Sequence, residues 1–389
     1  MARPRVLVVG GGLAGVSAAW HLASSHDVVV LEQGRQLAGE ASADNAGMVR
    51  RLGEDPYERA LAVRTHAFLE RLGPDWDGLA VSRRVGAVLG LVCEPHRLHD
   101  AAAHLRARGV RVEGCDAPAE VAPILKGTDL VWAWHLPDER VADAHALVTG
   151  FARGSRRRGV VLRTRCRVEA IVAGGGGLGV ETSDGLLEAD AVVLACGAWA
   201  GGLASRLGLE RPLVPLRRSL LQTGPHSMSR PDHPWTWLDD VGVYVRPEAG
   251  GWLCSPCDEA VDRPAEGPGS RGTVAVENRA LLLDKLARYL PAMGEPRFVG
   301  GWTGLRTFAP DRRPVLGADP DVEGLWWVAG LGGFGVTCAA AAGEAVASWM
   351  RGVATPWLSP APVGPGRLYP KRWWIRPDGH VHHVVAGPA

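Results

Sequence analysis

The amino-acid sequence predicts a mixed α/β fold, in which a domain built on a parallel sheet is interrupted by an inserted domain of antiparallel sheet. At the start of the chain, an apolar run at Arg5–Val9, a helical stretch at about Leu13–Ser24 and a second apolar run at Asp27–Glu32 form a β-α-β unit. Another short apolar run, Ala189–Ala195, is typical of a buried parallel strand and returns in mid-chain. Between this run and the end of the chain, alternating segments such as Leu216–Thr223 are punctuated by Pro and Gly, as in antiparallel sheet.

The remaining elements follow from the same patterns. Helical periodicity predicts helices over Pro56–Leu72, Arg140–Gly159 and Ala280–Leu290, and a late Ala-rich helix that follows a glycine cluster and ends at about Met350. A strand is predicted over Val160–Arg167, followed by a hairpin that turns at residues 174–177.

Composition and charge exclude several classes of protein. The 389 residues are 46% hydrophobic and 22% charged, which is typical of a globular protein with an ordinary core. The formal net charge of +1 argues against a nucleic-acid partner. We see no signal peptide and no apolar run long enough to span a membrane. The seven cysteines are interpreted as reduced thiols, so we expect a cytoplasmic protein, with peripheral attachment to the inner face of the membrane as an alternative.

The N-terminal glycines match a dinucleotide-binding motif. Residues 10–15 read GGGLAG, which fits G-x-G-x-x-G between a strand and a helix. Gly10 would permit the tight turn, Gly12 would let the backbone approach a pyrophosphate, and Gly15 would allow the helix to pack closely on the strand. Glu32 ends the second strand, where a carboxylate accepts hydrogen bonds from the adenosine ribose. The sequence therefore predicts a dinucleotide site, either FAD or NAD.

A second glycine cluster favours FAD over NAD. Gly332, Gly333 and Gly335 precede a helix late in the chain. The N-terminus of such a helix can hold the negative charge that develops on a reduced flavin, whereas a nicotinamide develops no such charge.

Several ordered blocks resemble the D-amino-acid oxidase superfamily of FAD-dependent oxidoreductases. Within it the sequence is similar to bacterial D-amino-acid dehydrogenases, including D-arginine dehydrogenase-like proteins, and to glycine or sarcosine oxidases. The resemblance reaches to about residue 354. It rests on the N-terminal block VVGGGLAGVSAAWHLA…VVVLE and on ASADNAG at Ala41–Gly47, AVVLACGAWA at Ala191–Ala200, VYVRPEAGGWL at Val243–Leu253, GLRTFAPDRRPVLG at Gly304–Gly317 and WVAGLGGFGVT at Trp327–Thr337.

The resemblance implies a fold and a cofactor. The fold would be like that of glutathione reductase: a Rossmann FAD domain with a β-meander, and an inserted antiparallel substrate domain that covers the flavin ring. FAD would be non-covalent, because Thr307 and Phe308 stand where some sarcosine oxidases carry the linking Cys. The predicted cofactor contacts are Gly10, Gly12, Leu13, Ala14, Gly15, Glu32, Gln33, Ser42, Asn45, Ala46, Gly47, Val168, Gly197, Trp199, Arg306, Gly332, Gly333, Phe334, Gly335, Val336 and Thr337.

The resemblance also implies how a substrate carboxylate is held. In these families a Tyr and an Arg bind it, and they correspond here to Tyr244 and Arg306. A guanidinium suits this role because it binds a carboxylate through two hydrogen bonds. Arg217, Arg218 and Arg246 are further candidates for a second contact, the last because it shares the strand face of Tyr244.

The substrate side chain is less well defined. Met48 stands where D-arginine dehydrogenase-like proteins carry a His over the flavin, and we assign it to the catalytic site. No acidic residue near Val85–Leu89 matches the group that receives a basic side chain in those proteins. A small or apolar side chain is therefore expected.

Together these features predict an enzyme that oxidises the CH–NH bond of a small amino acid, D or glycine-like, by hydride transfer to flavin N5. The alternatives are a secondary amine such as sarcosine as substrate, and a flavin-binding subunit without turnover. Because Ala41–Arg51 and Trp302–Thr337 contain no Lys that could assist reaction with oxygen, we predict a dehydrogenase that reduces a quinone or a dye.

The predicted domain organisation has six segments. They are residues 1–55, 141–214 and 301–354 for the FAD domain, residues 56–140 (with a helical cover) and 215–300 for the substrate domain, and residues 355–389 for a Pro-rich C-terminal arm.

Other signals are discounted. The pair Cys254 and Cys257 forms C-x-x-C without a second pair at zinc-like spacing, so no metal site is predicted. The tail histidines and Trp373–Trp374 are interpreted as parts of the arm.

Overall fold

A six-stranded sheet forms the centre of the molecule. The computed structural model describes residues 2–174, 177–368, 373–375 and 381–383. The spatial order of the six strands is β20-β21-β13-β1-β2-β9, and every neighbouring pair is parallel except β20 with β21. With strands numbered along the chain, they are β1 (Arg5–Val9), β2 (Asp27–Glu32), β9 (Val161–Thr164), β13 (Ala191–Leu194), β20 (Val315–Ala318) and β21 (Leu325–Ala329).

Both faces of this sheet are covered, which is why its strands are apolar at nearly every position. On one face, Val6, Val8 and Val30 pack against helices α1 (Leu13–Leu22) and α8 (Gly335–Met350). On the other, Leu7 and Leu31 pack against a three-stranded meander and helix α6 (Ala200–Arg206). The meander is β10 (Val168–Gly174), β11 (Gly177–Thr182) and β12 (Gly185–Ala189).

Eight α-helices are present in the described ranges. They are α1 (Leu13–Leu22), α2 (Pro56–Glu70), α3 (His99–Arg106), α4 (Pro118–Val121), α5 (Ala144–Arg157), α6 (Ala200–Arg206), α7 (Val276–Tyr289) and α8 (Gly335–Met350). Where the structure describes the chain, none of them has the length and apolarity that a membrane crossing requires.

A nine-stranded sheet forms the second layer, which we call the roof. Its order is β18-β14-β17-β16-β15-β5-β7-β6. Strands β18 and β17 pair with different parts of β14, and β19 pairs with β14 along its whole length. Its pairs are antiparallel except β15 with β5. The strands are β5 (Ala87–Leu91), β6 (Glu113–Gly114), β7 (Trp132–Leu136), β14 (Val214–Thr223), β15 (Trp235–Leu238), β16 (Val243–Glu248), β17 (Gly251–Ser255), β18 (Ala260–Val261) and β19 (Phe298–Phe308).

The two faces of the roof have different roles. Alternate residues such as Val243 and Val245 pack against Leu282 and Leu286 of α7. The intervening residue Tyr244 lies on the opposite face, which we call the inner face of the roof. Two small sheets complete the fold: β3 (Met48–Val49) with β8 (Arg140–Ala142) and β4 (Ser82–Arg84), and β22 (Trp373–Ile375) with β23 (Val381–His383).

Two predicted helices were wrong at their starts: the helix predicted from Ala280 begins at Val276, and the helix predicted from Arg140 begins at Ala144. Residues 140–142 form strand β8, which pairs with β3 and β4, and the helix begins only at Ala144. The physical reason is Asp143, whose carboxylate accepts hydrogen bonds from the backbone N–H groups of His145 and Ala146 and so caps the helix there. The strands at β1 and β2 and the helix that begins at Pro56 are as predicted. The predicted strand at 160–167 is reduced to β9, and the histidines and tryptophans of the tail have no described side chains.

Candidate active site

The strand order of the central sheet reverses at β1, because β2 lies on one side of it and β13 on the other. Ligands of open parallel sheets bind beyond the carboxyl ends of the strands at such a switch point. The glycine turn at residues 10–15 lies there, between β1 and α1.

Two of the three motif glycines are required by close contacts within the protein, and the third borders the cavity. Gly10 has φ +108°, and a Cβ there would lie 2.6 Å from the carbonyl oxygen of Ala195. A Cβ at Gly15 would lie 1.9 Å from the carbonyl oxygen of Gly10, so this glycine is what allows α1 to pack on β1. A Cβ at Gly12 would meet only the Ser42 hydroxyl, at 3.1 Å, so its constraint comes from the cavity that it borders.

That cavity has a volume of about 1170 Å³, and its lining extends from Glu32 at the end of β2 to Arg306 of β19 in the roof. Pockets for drug-sized ligands usually measure roughly 300–1,000 Å³, so this one is large enough for an extended dinucleotide. Sixteen predicted cofactor contacts line it: Gly10, Gly12, Leu13, Ala14, Glu32, Gln33, Ser42, Asn45, Val168, Gly197, Trp199, Arg306, Gly332, Gly333, Gly335 and Val336. The other five do not line it: Gly15, Ala46, Gly47, Phe334 and Thr337.

Glu32 has a second task that the motif does not reveal. Its carboxylate accepts hydrogen bonds from the backbone N–H of Gly11 at 2.7 Å and of Gly34 at 2.6 Å. Burial raises the pKa of Glu32, and the two hydrogen bonds oppose this shift. The residue therefore fixes the glycine turn while it faces the cavity.

The loop at residues 41–47 closes one side of the cavity. The Ser42 hydroxyl accepts a hydrogen bond from the N–H of Leu13 at 3.0 Å, at the first turn of α1. Asn45 stabilises the loop itself, because its amide donates to the Ser42 carbonyl and accepts from the N–H of Gly47, each at 2.8 Å. Ser42 and Asn45 therefore shape the loop as well as line the cavity.

The late glycine cluster forms the opposite side. A short turn at Gly332–Phe334 leads directly into α8, whose N-terminal residues Gly335 and Val336 line the cavity. Thr337 faces away from it: its hydroxyl donates to the Met48 carbonyl and accepts from the N–H of Arg50, both at 3.2 Å. The start of α8 is thus joined to β3.

On the inner face of the roof, Arg306 and Tyr244 are both buried, with exposed fractions of 7% and 4%. Arg306 donates to the carbonyl of Asp44 at 2.5 Å, which ties β19 to the loop at 41–47. Burial lowers the pKa of Arg306 and raises that of Tyr244, and the charges of Arg306 and Arg218 both oppose the shift at Tyr244. The three side chains therefore lie in one electrostatic cluster, which we call the clamp.

The strand register explains which of the candidate arginines joins the clamp. Arg218 of β14 pairs with Gly304 of β19, on the same face as Arg306. Arg217 is on the opposite face, where it pairs with Asp262 and donates to Thr303. Arg217 is therefore not available for a clamp contact.

The remaining predicted residues border the clamp. Arg246 forms an ion pair with Glu248 and lines a separate cavity of about 520 Å³, next to Asn45. Met48 packs in the same apolar cluster as Tyr244, with Trp237 beside them. The rings of Trp237 and Tyr244 are 4.9 Å apart. Met48 thus lies at the inner face of the roof, next to Tyr244 and Trp237.

Two charged residues were missed by the sequence interpretation. Asp44 is buried, neither of its carboxylate oxygens has a hydrogen-bond partner in the described part of the chain, and burial raises its pKa to about 6. Arg50 is buried between Trp237 and Phe334. Asp44 stands within the ASADNAG block and Arg50 shortly after it, but the block assigns neither residue a role, since both owe their setting to contacts with distant segments.

Cys254 and Cys257 of the C-x-x-C pair are free thiols, and the described ranges contain no group of three or more His, Cys, Asp or Glu side chains that could hold a metal ion.

The residues present fit FAD. A cradle that only glycine permits, a helix N-terminus, an acid at the end of β2 and a long cavity that reaches a second helix N-terminus are the features that a flavin dinucleotide needs. Consistent with this, the family model for FAD-dependent oxidoreductases named DAO matches residues 5–349, so the chain belongs to this family and FAD is its cofactor.

Curated relatives lie within the same family. The glycine oxidase of Pseudomonas putida is 29% identical over 383 residues, which cover 94% of this chain and 99% of that protein. A D-amino acid dehydrogenase of Methylobacterium nodulans is 28% identical, covering 90% of this chain and 95% of that protein. A mitochondrial pyruvate dehydrogenase phosphatase regulatory subunit of mouse is 26% identical over 90% of this chain, but the chain spans only 41% of that protein.

The fold is also shared with solved structures. Glycine oxidase from Geobacillus kaustophilus superposes with a TM-score of 0.80 at 24% identity, over 95% of this chain and 99% of that one. The predicted fold class, a Rossmann FAD domain with an antiparallel second domain, is confirmed.

Proposed function

We propose that the protein oxidises the CH–NH bond of a small amino acid and releases the corresponding imino acid. The observation that carries this proposal is the clamp: Arg306 lines the cavity that fits FAD, Tyr244 is buried near it, and Arg218 lies half-buried on the same face. Arg306 is buried and forms no ion pair among the described residues, which is unfavourable, and a substrate carboxylate would supply the missing charge.

Each clamp residue has a specific task in this proposal. Arg306 binds the α-carboxylate, and its hydrogen bond to the Asp44 carbonyl fixes the direction of the guanidinium. Arg218 is held by Glu259 and by the carbonyl of Asp258, and adds positive charge on the same face. The Tyr244 hydroxyl stays protonated, because burial raises its pKa, and can donate to the carboxylate. FAD, when bound, supplies the hydride acceptor.

The amine to be oxidised has two candidate forms. A primary amine, as in a D-amino acid or glycine, is the form we favour, and relatives of both kinds are similar over nearly their whole length. A secondary amine such as sarcosine is the alternative.

For the electron acceptor, we propose a quinone or another carrier in preference to oxygen. Lys285, one of the two lysines in the described ranges, donates to the carbonyls of Gly242 and Pro256 and does not line the cavity; the other, Lys126, is exposed and also outside it. Arg306 would be neutralised by the substrate. If the acceptor is a membrane quinone, a cytoplasmic protein that attaches peripherally to the inner face of the membrane would suit the reaction.

A second candidate is a flavoprotein without turnover, which the similarity to a regulatory subunit favours. The deciding experiment is anaerobic mixing of the holoprotein with both enantiomers of a panel of amino acids and with sarcosine, while the flavin absorbance is followed. Bleaching by amino acids supports the proposed enzyme, and bleaching by sarcosine alone supports the secondary amine. Absence of bleaching by every compound would support the non-catalytic role.

A further inference from the structure

Beyond the clamp, the inner face of the roof carries another buried cation. The guanidinium of Arg50 lies 4.4 Å from the ring centroid of Trp237 and 4.7 Å from that of Phe334, and the residue is only 8% exposed. Trp237 belongs to β15 of the roof, whereas Phe334 belongs to the glycine turn before α8. Arg50 therefore joins β15 of the roof to the glycine turn that precedes α8.

The strand order fixes the position of Arg50 relative to the clamp. Arg306 is on β19, Tyr244 is on β16 and Trp237 is on β15, the strand next to β16. Going across the roof from Arg306 on β19, strands β14 and β17 come first, then β16 with Tyr244, then β15 with Trp237, whose ring packs on Arg50. A substrate held at Arg306 and Tyr244 that extends past Trp237 would therefore meet Arg50.

Arg50 has one donor that no group in the described residues uses. One carboxylate oxygen of Asp239 accepts from Arg50 at 3.0 Å and the other from Arg97 at 2.8 Å. Arg97 also pairs with Glu54 and Glu94. Glu58 is 3.7 Å from Arg50, and burial raises the pKa of Glu58 to about 7, so a large fraction of it is protonated near neutral pH. The Nε atom of Arg50 is buried and has no hydrogen-bond partner in the described residues.

We propose that Arg50, Trp237 and Phe334 form a subsite for a second carboxylate, so that the substrates are dicarboxylic amino acids such as glutamate. The α-carboxylate would bind at the clamp, and the side-chain carboxylate would accept a hydrogen bond from Arg50 Nε. The two aromatic rings and Met48 would contact the methylene groups between the two carboxylates. This subsite disfavours cationic side chains, and it replaces the expectation of a small or apolar side chain drawn from Met48 alone.

This inference rests on the proposed function, and its test separates the two. The first measurement needs no turnover: glutarate, which has two carboxylates and no amine, is titrated into the holoprotein and compared with butyrate through the change in flavin absorbance. Glutarate is expected to bind at least about 30-fold more tightly than butyrate, because butyrate lacks the second carboxylate that would pair with Arg50. Equal affinities for glutarate and butyrate would overturn the subsite even if the enzyme oxidises other amino acids.

The second measurement compares glutamate with glutamine, in both enantiomers, in wild type and in Arg50→Met. The variant should lose at least about 30-fold in kcat/KM for glutamate and change much less for glutamine. An equal loss for both substrates would assign Arg50 a structural role only and contradict the proposal. If the Met variant fails to fold, Arg50→Lys is measured instead, because it keeps the charge but has no Nε. This variant should retain part of the preference for glutamate over glutamine. A preference equal to that of wild type, or no preference at all, would contradict the hydrogen bond from Nε.

Arg64→Met is the matched control. Arg64 also combines an ion pair, with Glu344, and a tryptophan ring, that of Trp357 at 5.8 Å, but it lies outside the site. Its variant should keep the wild-type preference for glutamate and for glutarate. If wild type binds glutarate selectively but oxidises no amino acid, the subsite stands and the proposed reaction fails.

Discussion

The two ends of the site are built by different means. At the nucleotide end, the proposed FAD contacts come from the backbone: glycines without a side chain, the N–H groups of α1 and a single carboxylate at Glu32. At the roof, the proposed substrate contacts come from long side chains of β14, β16 and β19, together with Arg50 of the segment after β3. A site built from the backbone can therefore be predicted from a local sequence motif, whereas a site built from side chains of several strands depends on the register of those strands.

The largest effect should come from breaking the nucleotide end at Gly12. A side chain at Gly12 would meet only the Ser42 hydroxyl within the protein, so Gly12→Val should fold but occupy the space that the pyrophosphate needs. We expect apoprotein, measured as the ratio of flavin to protein absorbance after purification.

Gly15→Val is the matched contrast. Here the added Cβ would lie 1.9 Å from the Gly10 carbonyl oxygen, so this variant should lose folded protein as well as FAD. Circular dichroism separates the two results. A yellow Gly12→Val protein, or FAD that stays with the precipitate after acid treatment of wild type, would contradict the proposed backbone site for non-covalent FAD.

The next largest effect should come from the roof, at Arg306. Arg306→Ala removes the charged partner of a desolvated carboxylate, a loss of about 2–5 kcal/mol, so kcat/KM should fall by ~30-fold to several thousand-fold. The FAD content should stay near that of wild type, in contrast to Gly12→Val. If amines without a carboxylate react as well as amino acids in wild type, the clamp is wrong.

Burial of charge near the roof should make stability depend on pH. The pKa of Glu58 is raised from 4.5 to about 7 by burial, so the folded state holds a proton that the unfolded state releases at lower pH. Stability is therefore lost as pH rises from about 4.5 to about 7, by about 3 kcal/mol in total. Urea unfolding at pH 5 and pH 8 should show this loss in wild type but not in Glu58→Gln; parallel pH profiles would contradict it.

The smallest effect of the four is expected at Tyr244. Tyr244→Phe keeps the ring that packs on Trp237 and removes one hydrogen bond to a charged group, worth about 1.5–3 kcal/mol, so kcat/KM should fall roughly 10- to 150-fold. Steady-state kinetics with the best amino acid of the panel measure this, and thermal unfolding serves as the control. A loss as large as that of Arg306→Ala would show that the hydroxyl does more than bind the carboxylate.

The acceptor can be tested on the same preparations. Stopped-flow reoxidation in air-saturated buffer should be slower than turnover with phenazine methosulfate. Reoxidation by oxygen that keeps pace with turnover would make the protein an oxidase.

The structure of the nucleotide end could be predicted from the amino-acid sequence. The G-x-G-x-x-G turn, the strands at Arg5–Val9 and Asp27–Glu32 and the acid at Glu32 are local features, because each is enforced within a few residues by sterics or by apolar patterning. The family resemblance extended this to Tyr244 and Arg306, whose burial on one face the structure then shows.

Three other features depend on tertiary contacts and could not be predicted from local sequence: the start of α5, the faces of the β14 arginines and the burial of Asp44 and Arg50. The start of α5 was misjudged, because β8 forms only by pairing with β3 and β4, more than 50 residues earlier in the chain. Arg217 and Arg218 are neighbours in sequence, yet the alternation of β14 sends one to the inner face and the other away from it. The sequence assigned no role to Asp44 or Arg50, since their burial comes from long-range packing, and a charge acquires its chemical role only from the groups that surround it.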